Sequence, residues 1–151
     1  MTSVIRELLP PDTALGWAAM RELRPGIGEA ADFAATVDGV QRAEGYRLLG
    51  AFEEGSTDAR AVAGFRVLSA LAWGRVLYVD DLATLPAARG CGHAGALLDR
   101  LSAEAQALGC IELHLDSGVG ADRQDAHRLY MRHGMRISAH HFSRVVAIVG
   151  R

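Results

Sequence analysis

Residues 89–95 read Arg-Gly-Cys-Gly-His-Ala-Gly and stand between an apolar run that ends at 82–86 and a strongly periodic stretch. Glycines between a strand and a helix N-terminus let backbone N–H groups approach a ligand closely, and the helix dipole favours an anion there. The stretch therefore predicts a site for a ligand that carries a pyrophosphate. The apolar positions that follow share one helical face, and they are Leu97, Leu98, Leu101, Ala105 and Leu108.

The composition is that of an ordinary globular domain, with 151 residues, 50% hydrophobic and 23% charged. We expect one domain over 1–151. The net charge of −2 offers no basic surface for nucleic acid. No apolar stretch approaches the roughly 20 residues of a membrane span, and the N-terminus has no signal-peptide pattern. Two cysteines suit a reducing compartment, so we expect a cytoplasmic protein. Neither HExxH nor CxxC occurs, so no metal centre is predicted.

Hydrophobic periodicity predicts a mixed α/β domain with the order β-α-α-β-β-β-α-β-α-β. The predicted helices cover 15–23, 29–42, 94–108 and 124–133. Predicted strands cover 4–9, 46–52, 61–71, 76–85 and 111–116, and 135–149 is predicted as a final strand or hairpin. Short turns among the second to fourth strands favour antiparallel pairing. The following strand–helix–strand crossover implies one parallel pair.

The glycine loop has a second interpretation, because Gly90, Gly92 and Gly95 also match G-x-G-x-x-G, the fingerprint of dinucleotide-binding domains. Asp116 even stands where a ribose-binding acid is expected. Three features count against an NAD-dependent oxidoreductase. Residues 86–89 separate the strand from the fingerprint, a strand meander precedes it, and too little chain follows Asp116 to complete the two halves.

Taken from its arginine, the loop (Arg89-x-x-Gly92-x-Ala94) resembles the acyl-CoA signature R/Q-x-x-G-x-G/A of the GNAT superfamily of N-acetyltransferases. Residues 126–135 (AHRLYMRHGM) are similar to a second family pattern, A-x-x-L/F-Y-x-x-x-G-F, with Met135 in place of Phe. The resemblance implies the GNAT fold, a mixed and mostly antiparallel sheet whose central parallel strand pair splays at the cofactor site, with helices on both faces. It also implies direct acetyl transfer from acetyl-CoA to an amine.

The resemblance assigns the cofactor mainly to backbone groups, with the loop amides on the CoA pyrophosphate and the main chains of Leu82 and Thr84 on pantetheine. Arg123 stands where the family often has an asparagine that contacts pantetheine. Arg123 would instead place a cation near the cofactor phosphates, or it is a solvated residue at the start of the helix. We expect the His93 amide to matter more than its ring, and Cys91 to be incidental. The implied cofactor-binding residues are Leu82, Ala83, Thr84, Arg89, Gly90, Cys91, Gly92, His93, Ala94, Gly95, Arg123 and Tyr130.

Three residues are candidates for catalysis. Tyr130 matches the family tyrosine that protonates or hydrogen-bonds the leaving thiolate, and the alternative is a core aromatic. Asp80 and Asp81 interrupt an apolar strand, and buried carboxylates require partners. Alternation places them on opposite faces of the sheet. One of them would accept a proton or bind the ammonium of the acceptor, or else it pairs with an arginine such as Arg66.

The resemblance implies a primary amine as the acceptor, either a small amine or an amine of a peptide or protein, and the sequence does not distinguish between them. The resemblance places its pocket at 23–29 and 138–143, with His140 and His141 either lining it or serving no functional role. A non-catalytic acyl-CoA-binding module is the alternative function. A homodimer through the last strand is a further hypothesis.

Overall fold

The computed structural model describes residues 3–148, and the chain divides into two compact units between Leu115 and Asp116. None of the helices in that range is both long and apolar enough to cross a membrane. The strands are β1 Val4–Glu7, β2 Arg47–Phe52, β3 Ala61–Ala70, β4 Gly74–Thr84 and β5 Glu112–Leu115, and the helices are α1 Trp17–Leu23, α2 Ala30–Thr36, α3 His93–Ala107 and α4 Gln124–Arg132.

The first unit is built on one five-stranded sheet in the order β1-β2-β3-β4-β5. Strands β1 to β4 pair antiparallel, and β4 pairs with β5 in parallel. The prediction of a mixed sheet with one parallel pair is confirmed. A dinucleotide-binding domain has a doubly wound, mostly parallel sheet, so this topology does not fit the dinucleotide-binding interpretation of the glycine loop.

Helices α1 and α2 cover one face of the sheet. Residues of β2 and β3 that alternate along the strand pack there with residues of the two helices. Helix α3 packs against β2 to β5, and its buried side chains belong to the opposite layer. The first layer includes Met20, Phe33, Val37, Leu48, Phe52 and Val62, and the buried residues of α3 are His93, Leu97, Leu98, Leu101 and Ala105.

A β-bulge interrupts the pairing of β3 with β4. Gly64 lies opposite Asp81 and Phe65 lies opposite Val79, so Asp80 is an extra residue without a partner. An extra residue breaks the alternation of side chains along a strand. The expectation that Asp80 and Asp81 point to opposite faces is therefore wrong. Both carboxylates reach the side chains around Tyr46, Asp81 directly and Asp80 through Arg66.

Two other predicted elements differ from the structure. The predicted helix over 29–42 is instead α2 followed by a π-helical turn at Val37–Gln41 and a 3-10 turn at Arg42–Glu44. Residues 135–148 contain no helix or strand, so the predicted final strand is wrong there, and Val149 lies outside the described residues. Apolar side chains such as Phe142 are exposed in this segment. Periodicity indicates a strand, but a strand also needs a neighbouring backbone to pair with.

Gly64 provides the first test of this packing. A Cβ added at Gly64 would overlap the hydroxyl of Tyr46, so Gly64→Ala should lower the free energy of unfolding by about 1–3 kcal/mol through overpacking. Gly39→Ala is the matched control, because nothing lies within 4 Å of a Cβ at that position. Urea unfolding followed by circular dichroism measures both. Equal stability of the two variants would contradict the packing described here.

Candidate functional site

The loop before α3 presents backbone N–H groups. Gly90 and Gly92 have φ values of +76° and +85°, a left-handed conformation that glycine adopts at little cost. Gly92 is the N-cap of α3, and its carbonyl accepts the N–H of Ala96 at 3.0 Å. The N–H groups of residues 93–95 precede that bond and have no partner within the helix. Together with the dipole of a 15-residue helix, they form a site suited to an anion.

The strand that leads into this loop has an open edge. Pairing of β4 with β5 ends at Val79 and Leu115, whereas β4 continues to Thr84. The N–H of Leu85 donates to Arg60 on the β3 side at 2.9 Å. Because these groups alternate along a strand, those of Leu82 and Thr84 point to the other edge, where no strand among residues 3–148 pairs with them. An extended ligand with amide groups can pair there.

A cavity of about 370 Å³ lies on the α1 and α2 face of the same unit. Its apolar walls come from the two helices and the turn between them, and Asp81 of β4 contributes a carboxylate. The predicted acceptor segment at 23–29 contributes Arg24, Gly26 and Ile27 to this lining. The lining includes Met20, Arg24, Ile27, Phe33, Val37, Tyr46 and Asp81.

Asp81 is held by two donors. The Tyr46 hydroxyl donates to Oδ2 at 2.8 Å, and Nε of Arg24 donates to Oδ1 at 2.8 Å. The carboxylate is 15% exposed. Burial and the charges of Asp81 and Asp80 raise the pKa of Tyr46, so its phenol stays protonated and remains a donor. Each carboxylate oxygen keeps a second acceptor position for a group that enters the cavity.

Asp80 is paired differently from Asp81. Arg66 contacts its Oδ2 at 2.6 and 2.8 Å, so the arginine pair given above as an alternative for these acids is present at Asp80. The Arg66 guanidinium also lies over the ring of Tyr46, 5.8 Å from the ring centroid. Burial raises the pKa of Asp80, and Arg66 opposes that effect. Both acids therefore belong to one network around Tyr46.

In the second unit, α4 carries Tyr130, which is 8% exposed. Burial raises the pKa of Tyr130, while Arg123 lowers it through its charge and a side-chain hydrogen bond. The phenol is therefore protonated at neutral pH and can donate a proton. Arg123, the N-cap residue of α4, thus interacts with the tyrosine that the second sequence motif singles out.

The tail histidines are both exposed. His141 contacts Asp116 within the second unit at 3.0 Å and its side chain is 68% exposed. His140 is also exposed, as is the rest of the predicted acceptor segment at 138–143. Of the two interpretations given for this pair, exposure favours the one without a functional role.

Sequence reasoning missed the partners of the predicted residues. It gave the ring of His93 no role, yet that ring is 1% exposed and its Nε2 lies 2.7 Å from Oε1 of Glu53. Tyr46 and Arg24 were not singled out either, although both hold Asp81. These contacts join residues 35 to 57 positions apart, and no local pattern marks such pairs. The sequence offers one signal of the contacts around Asp81. Gly64 lies in the middle of a strand, where a glycine often marks the close approach of another group.

Comparison with known proteins identifies one protein family and many solved structures that share the fold. The model of the Acetyltransferase (GNAT) family matches residues 13–135. A search of curated proteins finds no similar sequence. An acetyltransferase of Trypanosoma brucei is 18% identical with a TM-score of 0.79, covering 96% of this chain and 100% of that one.

Two further structures share the fold at similar distance. The glucosamine-6-phosphate N-acetyltransferase of Arabidopsis thaliana is 16% identical with a TM-score of 0.74, covering 97% of this chain and 100% of its own. An aminoglycoside acetyltransferase from an uncultured soil metagenomic sample is 21% identical with a TM-score of 0.77, and the coverage is again 97% and 100%. At these identities the similarity establishes the fold alone.

Arg123 should control the titration of Tyr130. A nearby cation favours the phenolate, so Arg123→Ala should raise the pKa of Tyr130 further. Arg132→Ala is the control, because Arg132 is an exposed residue of α4 and is not among the groups that shift this pKa. NMR of protein labelled at tyrosine Cζ follows the phenol, with Tyr130→Phe used to assign it. A lower or unchanged pKa in Arg123→Ala would refute the coupling.

Proposed function

Because the chain belongs to the GNAT acetyltransferase family, we propose that it transfers an acetyl group from acetyl-CoA to an amine. One observation carries the proposal. The open edge of β4, with Leu82 and Thr84, is followed after a single 3-10 turn at Pro86–Ala88 by the glycine loop at the N-terminus of α3. An arm with amide groups and a pyrophosphate at its end matches this sequence of backbone groups.

We assign the cofactor to these same groups. Leu82, Ala83 and Thr84 would contact the pantetheine arm, and residues 89–95 would surround the pyrophosphate. Arg123 and Tyr130 complete the proposed set of cofactor contacts on the basis of the family motif. Acetyl-CoA supplies an activated thioester when it is bound. A cytoplasmic location and a homodimer remain predictions from the sequence.

The acceptor enters through the cavity in this proposal. An amine attacks a thioester only when it is neutral, so a group must take its proton. Asp81 faces the cavity with a free acceptor position on each oxygen, and it would bind the ammonium and receive that proton directly or through water. Asp80, paired with Arg66, would add negative charge beside it. The apolar walls formed by Met20, Phe33 and Val37 suit an amine with an apolar body.

Tyr130 would complete the reaction as the acid. The new N–C bond forms as the amine attacks the carbonyl carbon, and the C–S bond breaks with its electrons on sulfur. The protonated phenol would deliver a proton to that thiolate, and Arg123 would moderate its pKa. Attack is direct in this scheme, so no acyl-enzyme forms on Cys91, and the kinetics should be sequential rather than ping-pong.

Binding of the cofactor is the first test. Acetyl-CoA at 100 times its dissociation constant should stabilise the protein by about 2.7 kcal/mol, which moves the thermal midpoint by a few degrees. Differential scanning fluorimetry with acetyl-CoA and with NAD in parallel measures this. A shift with NAD but none with acetyl-CoA would contradict the proposed function.

Two substitutions then separate the catalytic roles. Tyr130→Phe should reduce kcat by about 100-fold or more, as loss of a general acid does, with acetyl-CoA affinity kept within a few-fold. Asp81→Asn should raise KM for the amine and reduce kcat/KM. Asp58→Asn, in the exposed turn after β2, is the matched control. Steady-state assays over a panel of primary amines provide the constants.

The outcomes have separate meanings. Unchanged turnover in Tyr130→Phe would exclude the tyrosine as the acid, and an unchanged KM in Asp81→Asn would exclude Asp81 as the acceptor site. Binding of acetyl-CoA without transfer to any amine in the panel would favour the non-catalytic acyl-CoA-binding module.

A further inference from the structure

Three side chains of metal-ligating type meet beneath the glycine loop, and none has a part in the proposed acyl transfer through its side chain. Glu53 comes from the end of β2, Cys91 from the loop, and His93 from the first turn of α3. Their ligand atoms all lie within 4.8 Å of one another. We propose that Glu53, Cys91 and His93 form a site for one Zn²⁺ ion.

The imidazole of His93 is buried and held between two partners. The ring is 1% exposed, its Nδ1 contacts Oγ of Ser3, and its Nε2 lies 2.7 Å from Oε1 of Glu53. Metal-bound histidines typically use their other ring nitrogen in a hydrogen bond that fixes the ring. Ser3 is placed to supply that bond. Nε2 donates to Oε1 of Glu53 in this structure, and zinc would replace the hydrogen that the two groups share.

Glu53 divides its two oxygens between different partners. Arg60 lies 3.6 Å from Oε2, whereas Oε1 faces His93. Nε of Arg60 is buried and has no hydrogen-bond partner, so Arg60 acts here through its charge. It balances Oε2, so Oε1 would be the oxygen that binds a metal once the hydrogen bond from His93 is exchanged for ligation. The carboxylate is 14% exposed, so little water competes at this position.

The donor set indicates which metal binds. Thiolate, imidazole and carboxylate together suit Zn²⁺, whereas Mg²⁺ and Ca²⁺ take oxygen ligands alone. Both cysteines are free thiols, so Cys91 is available for ligation. Binding would form a Zn–S bond and break the S–H bond of Cys91, with the proton passing to solvent. It would also form a Zn–N bond at Nε2 of His93, which loses its hydrogen while Nδ1 carries the ring proton and donates it to Ser3. The thiolate and the carboxylate then neutralise the two charges of the ion, and water completes a tetrahedral set.

The site has a structural consequence of its own. A metal bound by these three residues would join the loop at Cys91 to the end of β2 at Glu53, two segments that otherwise meet through the Glu53–His93 pair. Such a site does not depend on acyl transfer, since the proposed cofactor contacts at Cys91 and His93 are made by their backbone N–H groups and the metal ligands are side chains.

Metal titration of the full chain tests the proposal. Protein stripped with a chelator is titrated with Zn²⁺ by calorimetry, and with Co²⁺ while the thiolate-to-cobalt absorption is recorded. We expect one ion per chain and a thiolate band. Loss of even an outer partner costs metal sites about 10–100-fold in affinity, so Cys91→Ser and Glu53→Gln should each weaken binding at least about tenfold. Cys110→Ser is the matched control, and Mg²⁺ should not compete.

A second measurement protects the test against variants that fail to fold. In the wild-type protein, Zn²⁺ should slow alkylation of Cys91 while leaving Cys110 unaffected, as read by mass spectrometry of peptides. Any one of three results would overturn the proposed site. Cys91→Ser could bind Zn²⁺ as tightly as the wild type, the thiolate band could survive in Cys91→Ser, or Zn²⁺ could fail to slow alkylation of Cys91. In that case the Glu53–His93 pair serves packing alone. Acetyl-CoA is absent from every arm, so failure here leaves the proposed function untouched.

Discussion

One extra residue in β4 determines how the first unit is arranged. Asp80 has no partner on β3, and the strand therefore changes the direction of its side chains at that point. Parallel pairing with β5 stops at Val79, immediately before the bulge. The same residue thus marks where the open edge begins and brings two carboxylates to the side that α1 and α2 cover. Bulges are common beside active sites for this reason, since they redirect side chains and end pairing locally.

The charges gathered by the bulge are costly to keep partly buried. Carboxylates removed from water require partners, and Arg24, Arg66 and Tyr46 supply them. A network of this kind is weak support for stability, because desolvation offsets most of the attraction. Its value lies in orientation, since Asp81 is fixed toward the cavity by two donors. Stability comes instead from the apolar layers above and below the sheet.

The sequence predicted the framework well because its signals are local. The glycine loop, the periodic stretch that became α3, and the crossover to β5 all follow from neighbouring residues. The bulge at Asp80 could not be predicted, because it depends on the register with Gly64, which is distant in sequence. The prediction of a final strand was wrong for a related reason. Alternating apolar residues indicate that a segment can form a strand, but they do not show whether a neighbouring strand is there to pair with it. The second motif identified Tyr130, but only the structure revealed its interaction with Arg123.

The contact between Tyr46 and the backbone at Gly64 has a consequence for how this chain can diverge. A side chain at position 64 has no room while a tyrosine occupies position 46. Position 64 is therefore restricted to glycine for as long as the tyrosine is kept. A lineage that exchanges the tyrosine for a smaller residue releases the glycine, and in the same step it removes a donor from Asp81. Change at this strand position thus depends on an earlier change at a residue that lines the cavity.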